Sequence, residues 1–584
     1  IDITKVTDDK LPVVINPGRL TEETVTYYIP KVIPGTYSLG NYGRFIENFK
    51  ALDYSGNELN VTHPEENTWI IENAKQLDKL EYVVNDTYDQ EIRGGIGQEM
   101  PFSPAGTNIE PNNYVLNLFG FIGYFEKLQN AQYTLDVTSP ATFKHSSALT
   151  STGIKSSPDG TSITSSFLAP RYFDIMDNPM MYGDLDIAEF MVGDIKIVLS
   201  VYSPNKVHTA ASLKETVYKM MEAQKAYLGD VNSTPRYDIF LYLSDGKEGS
   251  PKGFGALEHH TSTVVVLVES SSKERLAEAM IDVVAHEFFH IVTPLSVHSE
   301  DIHYFDYINP TFSKHLWMYE GVTEYFAQHF QVYEELVTNE EFFKVIMQKI
   351  QVASNFDDTM SFTVMSESIM DEPYSNNYIN VYSKGALIGM CIDRLMREES
   401  NGHRTMLSLM KELSNKYGLN KSYNDDSIIE EITAMTYPSV GKFLNEHVVG
   451  TTPIDYEAFF QKVGLTVGKT QVEANYIQSG GGFIFKADRE KMTLSFSENV
   501  TDNTFWTEEG ILPDDMIKAI GGTSLTLQNA QMLIGQMYQW KPGADYELTI
   551  ERAGEEMTFK GALKQSYTSE KNIKENENAT PEQV

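Results

Sequence analysis

From residue 1 to about residue 203, apolar and polar positions alternate in short runs, which is the pattern typical of β-strands. These runs are rich in Val, Ile, Tyr and Thr, and clusters of Gly, Pro, Asn and Asp separate them. The pattern therefore predicts an N-terminal antiparallel β domain. The clearest strand candidates are residues 24–29, 67–71, 79–84, 133–137 and 194–202.

The middle of the chain changes to a helical spacing of apolar residues. They recur three and four positions apart from Leu276 to Ile291, and Pro294 marks the expected end of that helix. Beyond residue 312 the chain is predicted to be mostly helical. The other predicted elements of this part are strands at 237–243 and 263–269 and helices at 212–227, 315–334, 339–354, 384–399 and 403–417.

The last third returns to β-type segments and turns. Residues 480–564 alternate in this way and contain one helix-like run at 529–540. The tail, residues 567–584, is polar and has no aromatic residue after Tyr567. A segment of this composition cannot bury enough apolar surface to fold, so we expect the tail to be disordered.

Composition and charge narrow the choice of function. The chain has 82 acidic against 46 basic residues and a net charge of −36, so we expect neither nucleic acid nor anionic lipid as a general partner. Cys391 is the only cysteine, which excludes an intrachain disulfide and a cysteine-built zinc site. No apolar run approaches the ~18 residues that a membrane-spanning helix needs. Since the first residue is Ile1 and not Met, we expect a processed or truncated chain without its export signal.

The residues that indicate chemistry are His286-Glu287-Phe288-Phe289-His290. On a helix, positions i and i+4 project from one face, so the two histidines can bind one zinc ion. Glu287 then lies beside the open coordination position, where a carboxylate can accept a proton from water. A hydrolytic zinc site also needs a third protein ligand. Glu320, thirty residues after His290, is the candidate, although an acidic helix face would look the same in the sequence.

Three flanking segments extend this motif. Together with it, they resemble the gluzincin metallopeptidases, and most closely the glycyl aminopeptidase family. The resemblance is strong over residues 253–385. The segments are Gly255-Ala256-Leu257-Glu258-His259, Trp317-x-x-Glu320-Gly321-x-x-x-Tyr325 and Tyr382-Ser383-Lys384-Gly385.

The resemblance implies a role for each motif residue, and each role has a physical reason. A buried carboxylate can pair with an ammonium group, a carboxylate beside the metal can move a proton, and a hydroxyl can stabilise an oxyanion. The implied roles are zinc binding by His286, His290 and Glu320, general-base catalysis by Glu287, binding of the substrate's free α-ammonium group by Glu258, and donation to the tetrahedral oxyanion by Tyr382.

The sequence leaves alternatives open at several of these positions. Glu258 could be an ordinary solvent-facing strand residue. Tyr374 or Tyr378 could take the place of Tyr382, since both are nearby in the chain. Glu324, one helical turn beyond the third zinc ligand, could either orient a zinc-bound histidine or form a surface salt bridge.

Two features of the loop after the zinc motif are not explained by the resemblance. Residues 291–295 replace a Trp-Asn-Val-Lys-Arg type segment of many relatives, so basic residues that could contact a substrate carboxylate are missing there. His298 and His303, with Glu300 and Asp301, form a polar cluster that could be a further metal site or a solvated loop.

The C-terminal third resembles a PDZ domain. Residues 510–522 follow the Gly-Leu-x-x-Gly-Asp-x-Ile-x-x-Ile-Asn-Gly turn of that family, although Asp514 and Gly521 replace the usual Gly and Asn. Residues 541–543, Lys-Pro-Gly, precede a strand as in the same template. PDZ domains bind C-terminal peptides by strand addition, and residues 480–483 could receive the carboxylate. A closed, purely structural cap is an equal alternative.

These patterns and resemblances predict a multidomain α+β protein. The N-terminal antiparallel β domain is followed by domains that the resemblance implies. The expected order is the β domain (1–203), a thermolysin-like α/β zinc catalytic domain (204–330), a helical domain (331–470), a PDZ-like domain (471–566) and a disordered tail (567–584).

The function that the resemblance implies is that of a zinc-dependent aminopeptidase. It would hydrolyse the N-terminal residue of peptides and prefer Gly or Ala. The alternatives are a zinc endopeptidase or another gluzincin hydrolase, and a non-enzymatic peptide-binding protein that uses the PDZ-like domain. The expected cofactor is zinc, and the expected partners are peptides with a free N-terminus and a peptide ligand of the PDZ-like domain. The family also implies a bacterial protein that is exported or periplasmic.

Overall fold

The computed structural model describes residues 1–584 except 90–93, 95–97, 230, 232–233, 480–481, 489–490, 527–528, 582 and 584. The described residues form two compact units. The first contains Ile1–Thr338 and Lys349–Ile454, and the second contains Asn339–Gln348 and Asp455–Val584. Among the described residues, no helix is both long enough and apolar enough to cross a membrane.

The N-terminal part of the first unit is a set of antiparallel sheets. Their strand orders are β1-β6-β3, β4-β5-β2-β9, β11-β14-β8-β7 and β10-β13-β12, and the one α-helix described among them is α1 (Tyr172–Met176). The strands are β1 (Lys10–Ile15), β2 (Thr24–Tyr28), β3 (Ile46–Asp53), β4 (Val61–Glu65), β5 (Thr68–Glu72), β6 (Leu77–Asn85), β7 (Asn108–Glu110), β8 (Asn113–Leu116), β9 (Tyr124–Phe125), β10 (Tyr133–Pro140), β11 (Lys144–Ser147), β12 (Thr150–Ser156), β13 (Ser162–Ala169) and β14 (Met180–Gly183).

Alternating burial explains why these segments form sheets around a common core. In β6, every second residue from Leu80 to Val84 is buried, which is the period-2 pattern of a strand with one face on the core. The core of this region also contains Leu257 and Tyr307 from later in the chain. The strands expected at 24–29, 67–71, 79–84 and 133–137 are confirmed within one to three residues at their ends. The shared core holds the β region against the strand that carries Glu258.

A mixed sheet of five described strands follows. The order is β15-β16-β17-β19-β18, in which β16, β17 and β19 run parallel while β15 and β18 pair antiparallel at the edges. The strands are β15 (Asp186–Val192), β16 (Ile195–Tyr202), β17 (Arg236–Ser244), β18 (Gly255–His259) and β19 (Ser262–Val268).

The prediction that the N-terminal antiparallel domain ends at residue 203 is wrong, because its last strands belong to this mixed sheet. The antiparallel region ends at β14, and β15 and β16 belong to the mixed sheet instead. β16 is buried along most of its length, because a strand inside a mixed sheet is covered on both faces and carries apolar residues at successive positions. Period-2 reasoning alone does not separate such a strand from those that precede it.

Helices dominate the chain after β19. α2 and α3 pack on each other, α2 against β15 and β16, and α3 against β18 and β19. The described helices are α2 (Ala210–Leu228), α3 (Lys273–Phe289), α4 (Glu300–His303), α5 (Thr323–Tyr333), α6 (Asn339–Ala353), α7 (Phe362–Glu367), α8 (Asn380–Ser400), α9 (Met406–Lys416), α10 (Ile428–Met435), α11 (Pro438–Phe443) and α12 (Tyr456–Gln461), with π-helical turns at Trp317–Val322 and Leu444–Val449.

The second unit is mainly a small antiparallel sheet, ordered β23-β24-β25-β27-β28 with β26 on β25. Trp506 is fully buried at its core and lies against Phe496, Phe505 and Tyr546. The elements are β20 (Leu465–Ala474), β21 (Gln478–Ser479), β22 (Gly482–Phe483), β23 (Phe485–Asp488), β24 (Thr493–Phe496), α13 (Thr504–Glu508), β25 (Met516–Ile520), β26 (Thr523–Ser524), α14 (Ala530–Tyr538), β27 (Asp545–Arg552), β28 (Glu555–Ala562) and β29 (Ser566–Glu575).

The prediction of a disordered tail from residue 567 is wrong for residues 567–575, which belong to β29. β29 pairs with β20 over ten residues in an antiparallel ladder. The polar composition misled the prediction because hydroxyl groups replace apolar contacts here. Ser566 donates a hydrogen bond to Asn503, and Thr568 donates one to Asp502, so buried polar side chains in this strand are satisfied within the unit.

Candidate active site

Two histidines lie side by side at the C-terminal end of α3. The helix begins after Ser272, whose hydroxyl accepts a hydrogen bond from the Arg275 amide, and it ends at His290. His286 and His290 are one turn apart, so their rings project from the same face, with centroids 4.7 Å apart. Both side chains are buried. The helix therefore holds two imidazoles together in a space that water reaches poorly.

Glu320 faces these rings from the π-helical turn Trp317–Val322, a type of turn that is frequent at functional sites. Its Oε2 atom lies 3.4 Å from His286 Nε2 and 3.7 Å from His290 Nε2. One ligand atom from each of the three residues lies within 4.8 Å of the others. Two imidazole nitrogens and one carboxylate oxygen are the protein ligands of many catalytic zinc sites.

The second nitrogen of each histidine ring lies against a hydrogen-bond acceptor. His286 Nδ1 is 2.8 Å from Glu324 Oε2, and His290 Nδ1 is 3.1 Å from the Thr293 carbonyl oxygen. Because both partners accept, each Nδ1 carries a proton and donates it, which makes each Nε2 the nitrogen available to a metal facing Glu320. Burial lowers the pKa of His290 to about 4, so this ring is neutral. The donor set therefore fits zinc.

Glu324 lies behind His286 as part of a largely buried ion pair. Lys349 Nζ is 2.5 Å from its Oε1 atom. Burial alone would raise the pKa of Glu324, but Lys349 and His286 lower it to about 2, so the carboxylate is ionised. Of the two alternatives that the sequence leaves open for Glu324, the structure has the one in which its carboxylate orients a histidine of the site.

Glu287 presents a buried oxygen to the same space. Among the described residues, its Oε2 atom has no hydrogen-bond partner. Ligand atoms of Glu258, Glu287 and His290 lie within 4.8 Å of one another, so this carboxylate adjoins the histidine pair. Burial raises the pKa of Glu287 to about 8, although the neighbouring His286 opposes the shift. A carboxyl group with a pKa near neutrality can both accept and return a proton.

Glu258 reaches the site from β18, where it is paired with Thr263 of β19. Its carboxylate lies against the backbone of Gly35, because a Cβ atom built on that glycine would be 2.4 Å from Glu258 Oε1. Gly35 also has a φ of +83°, which side chains disfavour. Burial raises the pKa of Glu258 well above its usual range, and Glu320 and Glu287 raise it further. Glu258 is thus no ordinary solvent-facing residue, and a bound cation would stabilise its charge.

Tyr382 lies in the first turn of α8, beside the histidine pair. Its ring centroid is 5.6 Å from that of His286, and its hydroxyl oxygen is 2.5 Å from the Tyr378 hydroxyl. Tyr378 in turn lies 5.6 Å from Tyr37, measured between ring centroids. The structure therefore brings both Tyr378 and Tyr382 to the site, and a hydrogen bond between their hydroxyls joins them.

Two glycines allow α8 to approach the π-helical turn that carries Glu320. A Cβ atom added to Gly321 would lie 2.4 Å from the carbonyl carbon of Gly385, and one added to Gly385 would lie 2.8 Å from Gly321 Cα. Atoms cannot come this close without a shift of backbone, so the two segments meet because neither residue has a side chain. The crossing places Glu320 and Tyr382 in one site.

Gly35 and Tyr37 are site residues that the sequence analysis does not identify. Both lie in the segment between β2 and β3 of the N-terminal region. The Tyr37 hydroxyl donates a hydrogen bond of 2.8 Å to Glu320 Oε1, across 283 positions of the chain. Pro34-Gly35 is a recognisable turn signal, but no spacing rule connects that turn with a distant helix.

His298 and His303 form a hydrogen bond with each other. Their Nε2 and Nδ1 atoms are 2.9 Å apart and their rings stack with centroids 5.2 Å apart. Burial lowers the pKa of His298 to about 4, so its ring is neutral. In the described part of the chain, neither histidine belongs to a group of three metal-binding side chains. The alternative of a further metal site in this loop therefore has no support.

A cavity of about 290 Å³ borders Glu258. His260 lies in its wall, with Nδ1 3.0 Å from Asp177 and Nε2 2.7 Å from the Leu295 carbonyl oxygen. Because both partners are acceptors, both nitrogens carry protons and the ring is positively charged. Arg171 also lines the cavity. Asp177 and Glu258 line the same cavity, so a side chain that enters this space would meet groups of both charges.

Two parts of the chain match one family of peptidases. Residues 1–184 match the peptidase M61 N-terminal domain, and residues 279–388 match M61 glycyl aminopeptidase. The second match contains both histidines, Glu320 and Tyr382. A search of curated proteins finds no match.

The chain is similar to two solved structures to different degrees. An aminopeptidase N family protein from Idiomarina loihiensis is similar over 98% of this chain and 96% of its own, with a TM-score of 0.69 and 19% sequence identity. An M1 zinc metallopeptidase from Deinococcus radiodurans is similar over 76% of this chain and 90% of its own, with a TM-score of 0.46 and 12% identity. The first similarity shows a common fold over nearly the whole chain, and the second is too weak to add to it.

The family matches and the site agree. The matches together cover about half of the chain, and the second includes the helix whose two histidines face a carboxylate. The multidomain α+β fold, with an N-terminal β region and a helical catalytic part, is also that of the aminopeptidase N family structure. The chain therefore belongs to the M61 glycyl aminopeptidase family of gluzincin metallopeptidases and is a zinc-dependent metalloaminopeptidase.

Proposed function

We propose that this aminopeptidase works through the side chains gathered at the end of α3 and that it prefers Gly or Ala as the first residue of a peptide. His286, His290 and Glu320 would hold the zinc ion. When bound, zinc supplies a Lewis acid that polarises the scissile carbonyl and increases the acidity of water. The preference for small residues is supported by the match to glycyl aminopeptidase.

In this proposal, Glu287 moves the proton. Its buried Oε2 atom, unpaired among the described residues, is free to accept a proton from the attacking water and then to return it to the leaving amine. The Tyr382 hydroxyl donates to the carbonyl oxygen as negative charge develops there. Tyr378 orients that hydroxyl through the 2.5 Å contact between the two oxygens.

The position of Glu258 is the observation that most directly supports an exopeptidase. Its carboxylate adjoins Glu287 and His290, with ligand atoms of all three residues within 4.8 Å. A free α-ammonium group bound to Glu258 would therefore place the first peptide bond next to the general base. An internal peptide bond offers no cation at this point, so an endopeptidase would leave this half-buried carboxylate without a charge partner.

Two measurements test the proposal together. Zinc removal by a chelator should abolish hydrolysis of chromogenic aminoacyl substrates, and added zinc should restore it. In a panel of such substrates, Gly and Ala should have the highest kcat/KM, above Leu, Arg and Glu. Arg and Glu belong in the panel because the cavity beside Glu258 is lined by both basic and acidic side chains.

The alternatives predict different results in these measurements and with an N-acetylated peptide. Equal cleavage of an N-acetylated and a free peptide would favour an endopeptidase. No zinc after dialysis and no hydrolysis would favour a non-enzymatic peptide-binding protein. Faster cleavage of Leu, Arg or Glu than of Gly would overturn the preference for small residues while leaving the aminopeptidase activity in place.

We further propose that the second unit is PDZ-like and binds the C-terminus of a peptide along β23. β23 ends the described strand order of its sheet, and PDZ domains add a peptide strand at such an edge. Asp514 has a φ of +68°, the left-handed conformation expected at the position where the PDZ turn has Gly. Of the expected carboxylate loop, residues 480 and 481 lie outside the described residues.

Peptide binding tests this second proposal. With zinc removed to prevent cleavage, fluorescent peptides with a free C-terminal carboxylate should bind the full chain saturably, as measured by fluorescence anisotropy. The same peptides with an amidated C-terminus should bind much more weakly, because the backbone amides of such a loop bind the carboxylate. Equal binding of both forms, or no binding of either, would indicate a closed structural cap.

A further inference from the structure

The two oxygens of Glu320 have different surroundings. Oε2 faces the histidine pair, 3.4 Å from His286 Nε2 and 3.7 Å from His290 Nε2. Oε1 instead accepts the hydrogen bond from the Tyr37 hydroxyl, 2.8 Å away. The carboxylate is buried, so water does not compete readily for either oxygen. The orientation of Glu320 is thus tied to a residue of the N-terminal β region.

We propose that Tyr37 is a positioning residue for the zinc site, which holds Glu320 so that Oε2 alone is presented to the metal. This inference rests on the proposed roles of His286, His290 and Glu320 as zinc ligands. A carboxylate with both oxygens free can rotate or bind a metal through both. A hydrogen bond to one oxygen selects the other as the ligand, as partners of metal ligands commonly do.

The position of the Tyr37 hydroxyl is determined by packing from both sides. The side chain is buried, and its ring lies 5.9 Å from Phe312 and 5.6 Å from Tyr378 between centroids. Its backbone has a φ of +47°, a left-handed conformation that bulky residues rarely adopt. Strained residues of this kind cluster at functional sites, where the surrounding structure enforces them.

Hydrogen bonds also hold the segment that leads to Tyr37. The amides of Lys31 and Val32 both donate to the Tyr307 carbonyl oxygen, over 2.9 and 3.1 Å, and Thr36 Oγ1 donates to the Ile33 carbonyl oxygen over 3.0 Å. The hydroxyl is therefore placed by the fold before any metal arrives. Its contribution should appear in metal affinity and coordination, and not merely in stability.

The test is to replace Tyr37 with phenylalanine, which removes the hydroxyl and keeps the ring. Tyr42→Phe is the matched control, because the Tyr42 hydroxyl is also buried in the N-terminal region and donates over 2.8 Å, but to the Ala105 carbonyl oxygen and not to a proposed zinc ligand. Zinc affinity is measured on metal-free protein by competition with a chromophoric chelator. We expect Tyr37→Phe to weaken zinc binding by about tenfold or more and Tyr42→Phe to leave it unchanged.

A second readout reports coordination directly. In the cobalt(II)-substituted protein, visible absorption depends on the number and geometry of the ligands. The spectrum of Tyr37→Phe should differ from those of the wild type and Tyr42→Phe, since Glu320 can then bind through both oxygens. Thermal unfolding of both variants separates this effect from a general loss of stability.

The possible outcomes separate this inference from the proposed function. If the wild-type chain binds no zinc, the zinc site fails and the role of Tyr37 fails with it. If the wild type binds one zinc ion and Tyr37→Phe matches it in affinity and in cobalt spectrum, the positioning role alone is overturned. An equal loss of zinc affinity in Tyr37→Phe and Tyr42→Phe would also overturn it, since the effect would then reflect stability.

Discussion

Replacing Glu287 with glutamine is expected to lower kcat for free aminoacyl substrates by about 10²–10⁴-fold while zinc remains bound. The amide has nearly the size of the carboxylate and leaves His286, His290 and Glu320 in place. It cannot accept a proton, however, so the water is no longer activated at the oxygen that is buried and unpaired among the described residues. The measurements are kcat with a chromogenic substrate and zinc content after dialysis.

Glu278→Gln is the control for this variant. Glu278 lies on the same helix and is exposed, so the identical chemical change occurs away from the site. This control should retain wild-type kcat and zinc content. Full activity in Glu287→Gln would contradict the proposed mechanism. Loss of zinc from that variant would show that Glu287 supports the metal site instead of moving a proton.

Replacing Glu258 with glutamine is expected to lower kcat/KM for peptides with a free N-terminus by about 10²-fold. The loss follows from the position of the half-buried carboxylate against Gly35, where a charge-assisted contact with an ammonium group is stronger than in water. The measurement compares kcat/KM for a free peptide with the inhibition constant of its N-acetylated form.

The acetylated peptide serves as the internal control for Glu258→Gln. It has no ammonium group, so its inhibition constant should change little when the carboxylate is removed. An equal loss for the free and the acetylated peptide would show that Glu258 shapes the cleft without selecting chain ends. In that case the endopeptidase alternative would gain support.

The spacing of residues in the sequence was sufficient to predict that the two histidines of α3 lie on one face of that helix. His286 and His290 are one helical turn apart, and that geometry follows from the sequence whatever the remainder of the chain does. Glu320 and Tyr382 could be named because their motifs resemble a family, but their convergence could not be derived. It depends on the close crossing at Gly321 and Gly385, which is a property of tertiary packing.

The residues that the N-terminal region contributes lay beyond prediction for a different reason. Tyr37 and Glu320 are 283 positions apart, and neither a period nor a motif relates them. The polar composition near the C-terminus led to a wrong prediction of disorder. In β29, the hydroxyls of Ser566 and Thr568 instead donate hydrogen bonds to Asn503 and Asp502. Hydrophobic pattern reports how much apolar surface a segment can bury, and it does not report which partner a polar group will find.

The contact between Gly321 and Gly385 has a consequence for how the chain can change. A methyl group at either glycine would meet the backbone of the other segment, within 2.4 Å of a carbonyl carbon in one case. The spacing between a ligand-bearing turn and an oxyanion-donating helix is thus set by two missing side chains. Glu-Gly and Lys-Gly, which look like separate signatures in the sequence, are a single steric requirement, and redesign of either one must treat both together.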